Sequence, residues 1–533
     1  MQRGYVGSPL TVFLVTTLLI FKGLKSRWLL QNGDAAGFVD AMTDQSGTGD
    51  INFTYRFSAK TLRRLFTNDS SQVSASQFLN PDNLTSFIHW HPYLFGYVPR
   101  IVPIKIFDIE NLPLALLAAS YALGITMIYG YLQKLDVPIM FRLVYAFLVA
   151  SSPILIEAIN GQPYFDKLFF GPCVAILLLF FSEKQLSQAS FYKISILLIL
   201  SMSLSERASL VASIIMITAV VLKHGKDTFQ DRHNVVLLAI SALGITWYLV
   251  WQKYISHNPY IGNSDISYYL TNVSNLFKPD RQPLFQTFTL TLLPFLIIIL
   301  RRFSFSIIAT IAILPNLLVT IGGAELTGYT THYHSMYLPV ILALSAMALG
   351  TTKDNSSMNA PKSKYVMPLI VLSFTLGLLA NFNYTNQIYP ERSVFERSLA
   401  YGKTLADSFG LIPSEVSAQR SIARNSFLGA VTPLQGHTKE SISAPEKFMP
   451  ALTRIGFGSI DYFPIGLGNS DVVIVPFTTD EFNFVEISIY GLVPVENREL
   501  WSRTILTSLN ESYREISRGS GNYGNVIVYK KKI

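Results

Sequence analysis

What most constrains this chain is a succession of apolar runs that begins at Asn111 and continues to about residue 381. Crossing the hydrocarbon of a bilayer takes roughly 20 helical residues, and most of the runs approach that length. In lipid a backbone must satisfy its own hydrogen bonds, so such runs fold as helices. They fall near 111–132, 138–158, 167–181, 191–205, 208–222, 234–251, 284–300, 303–322, 334–350 and 365–381. One more, from Pro9 to about Phe21, is preceded by Arg3 and followed by Lys22, Lys25, Arg27 and Trp28. No small-residue cleavage pattern follows it, so it reads as a retained anchor continuing to about Leu30 and not as a signal peptide. The expected fold is a polytopic α-helical membrane protein of about 11 transmembrane helices.

Composition points the same way. Of the 533 residues, 50% are hydrophobic and only 14% charged, and the mean hydropathy is +0.34; all are displaced from the soluble average. The net charge of +8 does not indicate nucleic acid, because the basic residues sit mostly in short loops, where they set orientation. With the N-terminus inside, the cytoplasmic connections carry Lys134, then Lys184 and Lys193, Lys223, Lys226 and Arg232, Arg301 and Arg302, and finally Lys353, Lys362 and Lys364. The short outer turns Asn160-Gly161-Gln162-Pro163 and Gly322-Gly323-Ala324-Glu325 carry no Lys or Arg. An odd number of spans puts the C-terminus outside. A single cysteine, Cys173, excludes both a disulfide framework and a thiolate metal cage within the chain.

Two stretches depart from this pattern. A polar outer loop runs from about residue 31 to 110 and includes a basic amphipathic segment, Ser58 to Phe66, suited either to the headgroup plane or to an ordinary solvated surface. From residue 382 to 533 charges return, and strand-like pieces such as Asp471 to Pro476 and Asn525 to Tyr529 alternate with polar stretches. The expected organisation is a transmembrane domain over 1–381 and a small extracytoplasmic α/β domain over 382–533.

Under this topology the polar residues gather on the outer face: Asp34, Asp40, Asp44, His89, His91, Arg100, Lys105, Glu157, Asp166, Lys167, Glu206, Arg207, Glu325, His332 and His334. Mid-span positions are nearly free of charge. A transporter places ionisable groups near the bilayer midplane, so this inventory favours chemistry at one membrane surface. His89 and His91 flank Trp90; in an extended segment they share a side, as metal or phosphate contacts or as interfacial aromatics. Glu206-Arg207 sits at a turn between two spans, where the side chains bind substrate or snorkel to water. At the start of the run from 334, His334 and Tyr337 share a helix face at i, i+3. His332 and His334 read as ligand or phosphate groups, and the tyrosines as an aromatic belt or as part of that site. Asp34 precedes a stretch able to form a helix over Ala35 to Met42, where it is an N-cap or a catalytic carboxylate.

Several of these pieces together resemble the GT-C superfamily of membrane glycosyltransferases. They are Gly33-Asp34 through Met42, His89-Trp90-His91-Pro92, Ser205-Glu206-Arg207, His332-Tyr333-His334 to Pro339, and, farther on, Ile412-Pro413, Asp461-Tyr462-Phe463-Pro464 and Asp471-Val472-Val473-Ile474. More closely, the run of motifs is similar to a family of bacterial and archaeal membrane proteins classed only by a domain of unknown function. That family's Lys-Glu-Asp-like element stands here as Ser205-Glu206-Arg207. The resemblance implies a GT-C-like membrane domain and transfer of a sugar from a polyprenyl-phosphate donor to a glycan, lipid or protein acceptor at the outer surface. It implies Asp34 as general base with Asp40 as helper, and Arg207, His332 and His334 facing the departing phosphate, with Arg100 as a further cation. No cofactor is required, although Asp34 or Asp40 with His91 could hold a divalent cation. The other expectations are a transporter or lipid-glycan flippase, and a non-catalytic envelope assembly protein whose function lies in the outer domain.

Overall fold

The structure, a computed structural model, describes residues 8–27, 53–57, 88–92, 111–160, 165–250, 282–318, 334–350, 366–388, 390–412, 426–436, 439–445, 448, 452, 457, 460–463, 467–468, 470–478, 481–482, 498–519 and 525–532. It divides into two compact units. The first comprises Met1–Leu24, Leu114–Trp251 and Ser264–Ile412, and the second Lys25–Pro113, Gln252–Asn263 and Pro413–Ile533.

The first unit is helical. In chain order its helices are α1 (Pro9–Arg27), α2 (Asn111–Lys134), α3 (Ile139–Ala150), α4 (Pro153–Asn160), α5 (Phe170–Ser182), α6 (Gln188–Leu204), α7 (Glu206–His224), α8 (Arg232–Val250), α9 (Gln282–Ile299), α10 (Phe303–Leu318), α11 (His334–Gly350), α12 (Val366–Ile388) and α13 (Val394–Ser408). Every apolar run of the sequence contains a helix. Among the described residues three are long and apolar enough to cross a membrane, at Leu114–Lys134, Arg207–Phe229 and Val366–Asn383, and shorter apolar helices accompany them.

One expected span is broken. The run 138–158 folds as α3 and α4, separated by Ser151 and Ser152. The cause is local: Pro153 lacks a backbone N–H and has a fixed φ, so it suits the first position of a new helix but not the interior of a continuing one. Ser151 closes α3 by donating its N–H to the Phe147 carbonyl, and the Ser152 carbonyl accepts from the Ile156 N–H in α4.

Helix α11 forms the centre of this unit. From Met336 to Leu349 every residue is buried, as expected for a helix that is apolar all round, and it packs against α5, α9 and α10. Its one central hydroxyl, Ser345, is hydrogen-bonded to Tyr145 of α3. Helices α7 and α8 pack closely at Gly244, where an added Cβ would lie 2.2 Å from Ser213 Oγ, so a larger residue would have to displace neighbouring side chains. Helix α12 buries Ser373, whose hydroxyl donates to the Pro294 carbonyl of α9 at 2.7 Å, while Val371, Leu372, Leu378, Leu379 and Phe382 are exposed. An apolar interior under an apolar exterior is the pattern of a protein whose solvent is lipid. This is a helical membrane protein.

Among its described residues the second unit contains two sheets. Strands β1 (Phe53–Phe57) and β2 (Ile88–Pro92) pair antiparallel. The larger sheet has the order β4-β3-β5-β8-β7, from β3 (Ile442–Ala444), β4 (Ile460–Tyr462), β5 (Val472–Thr478), β7 (Tyr513–Gly519) and β8 (Asn525–Lys531), with the short β6 (Glu481–Phe482) against β5. Strands β4, β3 and β5 are parallel; β8 is antiparallel to β5 and to β7. The expected strand-like pieces thus form the central pair β5 and β8. Val472 to Val475 are all buried, as in a strand covered on both faces. Val472 and Ile474 join a core with Phe427, Phe448 and Leu452, in which Phe427 and Phe448 stack at 4.3 Å. Helix α14 (Arg498–Ser512) leads into β7.

A polar clasp closes the end of this sheet where β3 and β5 begin. Asp471 Oδ2 accepts both the Ser441 N–H and the Ser441 hydroxyl at 2.9 Å, and Ser441 Oγ accepts the Asp471 N–H at 3.0 Å. The Ser441 backbone donor, and then its hydroxyl, hold the Asp471 carboxyl below the ordinary aspartate range. Lys530 pairs with Glu440 at 2.8 Å beside it.

Candidate functional site

Of the residues expected on the outer face, Asp166, Lys167 and Arg207 are described where three helix ends meet a single 3-10 turn, Phe165–Phe169. The turn follows α4 and leads directly into α5. Ala158 lies in the last turn of α4, where carbonyls have no partner within the helix. Two side chains supply one: Lys167 Nζ donates to the Ala158 carbonyl at 2.6 Å, and the Tyr121 hydroxyl of α2 donates to it at 3.3 Å. Lys167 is only 2% exposed, and a cation at a helix C-terminus is favoured by the helix dipole.

The turn is pinned from its other side as well. Ser120 Oγ of α2 donates to the Leu168 carbonyl at 2.8 Å and accepts the Gly171 N–H at 2.9 Å. An added Cβ at Gly171 would lie 2.5 Å from the Ser120 carbonyl oxygen, so α2 and α5 approach each other here through a glycine.

The neighbouring residue, Asp166, reaches Arg207 in the first turn of α7, with Arg207 Nη1 at 3.8 Å from Asp166 Oδ2. Ser205 separates α6 from α7 and caps α7, its hydroxyl accepting the Ala208 N–H at 3.1 Å. Ser205-Glu206-Arg207 is therefore cap, first and second helical residue. Asp166 is 14% exposed and Arg207 38%. An arginine in the first helical turn opposes the helix dipole, so helix stability does not explain Arg207. Asp166 offsets that repulsion, and the Arg207 side chain stays partly exposed. Arg207 and the N-terminus of α7 together form a positively polarised point at the mouth of an apolar helix, an arrangement suited to a phosphate or carboxylate.

The other expected site residues are distributed as follows. His89 and His91 fall at alternate positions of β2, opposite Arg56 and Thr54 of β1. Glu206 is the first residue of α7 and His334 the first of α11. Tyr337 is fully buried in α11, in the packed core of the helical unit. Asp34, Asp40, Arg100 and His332 lie outside the described residues, as do the segments Ala35 to Met42 and Ser58 to Phe66. Among the described residues no three His, Cys, Asp or Glu side chains converge as a metal centre would require.

The structure adds Asp166 and Lys167 to the sequence-derived set. Both belong to the polar inventory of the outer face, but only the fold couples one to Arg207 and the other to the end of α4. The signal available in the sequence was an adjacent Asp-Lys pair at the entrance to an apolar run.

No family model matches the chain, and no curated protein matches it. Among solved structures, the crystal structure of ArnT from Cupriavidus metallidurans in the apo state is similar over 97% of this chain and 97% of that one, with 14% sequence identity and a TM-score of 0.44. At that identity and score, nothing of that protein's residues or activity is carried over to this chain.

Proposed function

We propose that this protein is a GT-C-type glycosyltransferase that moves a sugar from a polyprenyl-phosphate donor to an acceptor hydroxyl at the outer membrane surface. The observation that carries the reading is Arg207, a half-exposed guanidinium held by Asp166 at 3.8 Å in the first turn of an apolar helix. The phosphate of a lipid-linked donor lies at the depth where an apolar helix ends, and a cation there meets it without leaving the membrane surface.

The reaction breaks the bond between the anomeric carbon and the phosphate oxygen, so negative charge grows on the departing polyprenyl phosphate. Arg207, with the α7 N-terminus behind it, neutralises that charge. The acceptor oxygen forms the new bond to the anomeric carbon through an oxocarbenium-like state, and its proton passes to Asp34 as general base, with Asp40 assisting. His332, His334 and Arg100 complete the phosphate environment. His89, His91 and Glu206 are assigned to substrate binding, whereas Tyr337, fully buried in the core, would act only by supporting the start of α11. The acceptor is a glycan, lipid or protein hydroxyl, and the protein resides in a bacterial inner or plasma membrane with the site and C-terminal unit outside.

A panel of radiolabelled polyprenyl-phosphate sugars, offered to membranes with and without the protein, tests this reading. Transfer of one label that requires the protein is the expected result. A protein that moves a lipid-linked glycan across the bilayer without any transfer would refute it and favour transport.

A further inference from the structure

We propose that α13 is a headgroup-plane helix, docked on the protein by one face and on the surface of the lipid bilayer by the other. It is amphipathic in an unusual sense, because both of its opposite faces are apolar or weakly polar. The face toward the helical unit carries Ala400, Tyr401, Thr404 and Ser408; Ala400, Tyr401 and Ser408 are buried, and the Tyr401 hydroxyl donates to the Ser151 carbonyl at the end of α3. The opposite face carries Phe395, Leu399, Gly402 and Ala406, spaced i, i+4, i+7 and i+11, which is one stripe of a helix. Phe395 is 77% exposed and Leu399 54%, and nothing lies within 4 Å of where a Cβ on Gly402 would sit. Immediately beyond the helix Leu411 is 61% exposed.

The occupant is read from what adjoins the stripe. Helix α12 enters α13 after only a short link, and its last turns expose Leu378, Leu379 and Phe382, the surface that meets acyl chains. Arg397 joins the two helices: its guanidinium lies over the Phe382 ring at 5.9 Å and bonds the Asn386 side chain, and its Nε donates to the Arg392 carbonyl at 2.5 Å. The apolar stretch of α12 long enough to cross a membrane, Val366–Asn383, thus ends shortly before α13 begins at Val394, which puts α13 within reach of the membrane surface. Glu396 and Lys403, exposed beside the stripe, carry the mixed charges that a zwitterionic headgroup layer accommodates. A capping box, with Ser393 Oγ accepting the Glu396 N–H and the Glu396 carboxylate accepting the Ser393 N–H, fixes where the helix begins. That carboxylate is held below its ordinary range by the Ser393 hydroxyl and backbone donors.

Nitroxide labels decide the matter in full-length protein reconstituted into phosphatidylcholine and phosphatidylglycerol vesicles. The only native cysteine, Cys173, is buried; its replacement by alanine leaves single-cysteine variants at Phe395→Cys, Leu399→Cys and Gly402→Cys, with Lys403→Cys as a flank reference. Oxygen collides preferentially with labels in lipid, and an aqueous nickel chelate with labels in water. The expected result is an oxygen-to-nickel collision ratio several-fold higher at 395, 399 and 402 than at 403. Equal ratios at all four positions would overturn the proposal in favour of water. Low collision with both reagents on the stripe would overturn it in favour of a protein occupant, and dipolar broadening between labels would identify that occupant as a second copy. Should the labels at 395 or 399 disturb folding, the label at 402, which enters open space, gives the same reading alone.

Discussion

Helix α12 and strand β5 are both mostly apolar, and they solve opposite problems. In α12 only part of the helix is covered by neighbours, and Leu378, Leu379 and Phe382 are left outward; in β5, Val472 to Val475 are covered on both faces. The polar groups follow suit. The helical unit brings Asp166, Lys167 and Arg207 together at a few helix ends, whereas the C-terminal unit ties the rim of its sheet with Ser441, Asp471, Glu440 and Lys530. Apolar content therefore does not say what a segment faces. The position of the polar groups relative to it does: scattered around a rim they indicate water, and confined to the mouths of helices they indicate lipid with chemistry at its edge.

The contrast predicts that substitutions at helix mouths damage activity while those in the sheet damage stability. The largest expected effect is Arg207→Ala, which in the proposed mechanism removes a donor to the leaving phosphate and lowers sugar transfer about 10²–10³-fold, about 3–4 kcal/mol of transition-state stabilisation. Arg207→Lys recovers part of it, and the yield of membrane-inserted protein stays unchanged. If Arg207→Ala reduced protein level in proportion to activity, the helix mouth would be structural and the contrast would fail.

Next is Ile474→Ala in β5. Truncating a fully buried isoleucine costs about 3 kcal/mol, and hydrogen exchange of the 472–478 segment reads that loss while the α11 amides remain protected. Gly171→Ala acts in the other unit: the added methyl meets the Ser120 carbonyl at 2.5 Å, and overpacking of this kind costs about 2 kcal/mol. Faster exchange in α2 and α5 with unchanged β5 protection is the expected signature.

The smallest effect concerns pH. The Asp471 carboxyl titrates below the unfolded aspartate value of about 3.9. The stability it contributes is therefore fully present above that value and is lost as pH falls through the lower folded-state value. Asp471→Asn removes about 1 kcal/mol at neutral pH and flattens the acid side of the C-terminal unit's unfolding profile.

Much of this architecture was legible in the sequence. The helical runs were, because in lipid backbone satisfaction and side-chain apolarity demand the same structure; so were β5 and β8, from short β-branched runs between polar stretches. The break before Pro153 was harder to read, since the flanking run is apolar throughout and the two serines resemble ordinary small residues of a span. The pairing of Asp166 with Arg207 was not legible at all. It depends on a 3-10 turn and a helix start far apart in the chain being brought together by packing. The sequence motif Asp471-Val472-Val473-Ile474 was visible as a resemblance, but its Asp471 turns out to clasp Ser441, which only the pairing of β3 with β5 explains.

In the proposed mechanism a carboxylate and a cation divide the work at one membrane surface, Asp34 taking the acceptor proton and Arg207 holding the donor phosphate. Binding and single-turnover transfer of a radiolabelled polyprenyl-phosphate sugar, measured side by side for the wild type, Asp34→Asn and Arg207→Ala, separates the two roles. Asp34→Asn is expected to bind the donor yet form no product, and Arg207→Ala to bind it weakly. Product formed by Asp34→Asn at the wild-type rate would contradict this mechanism.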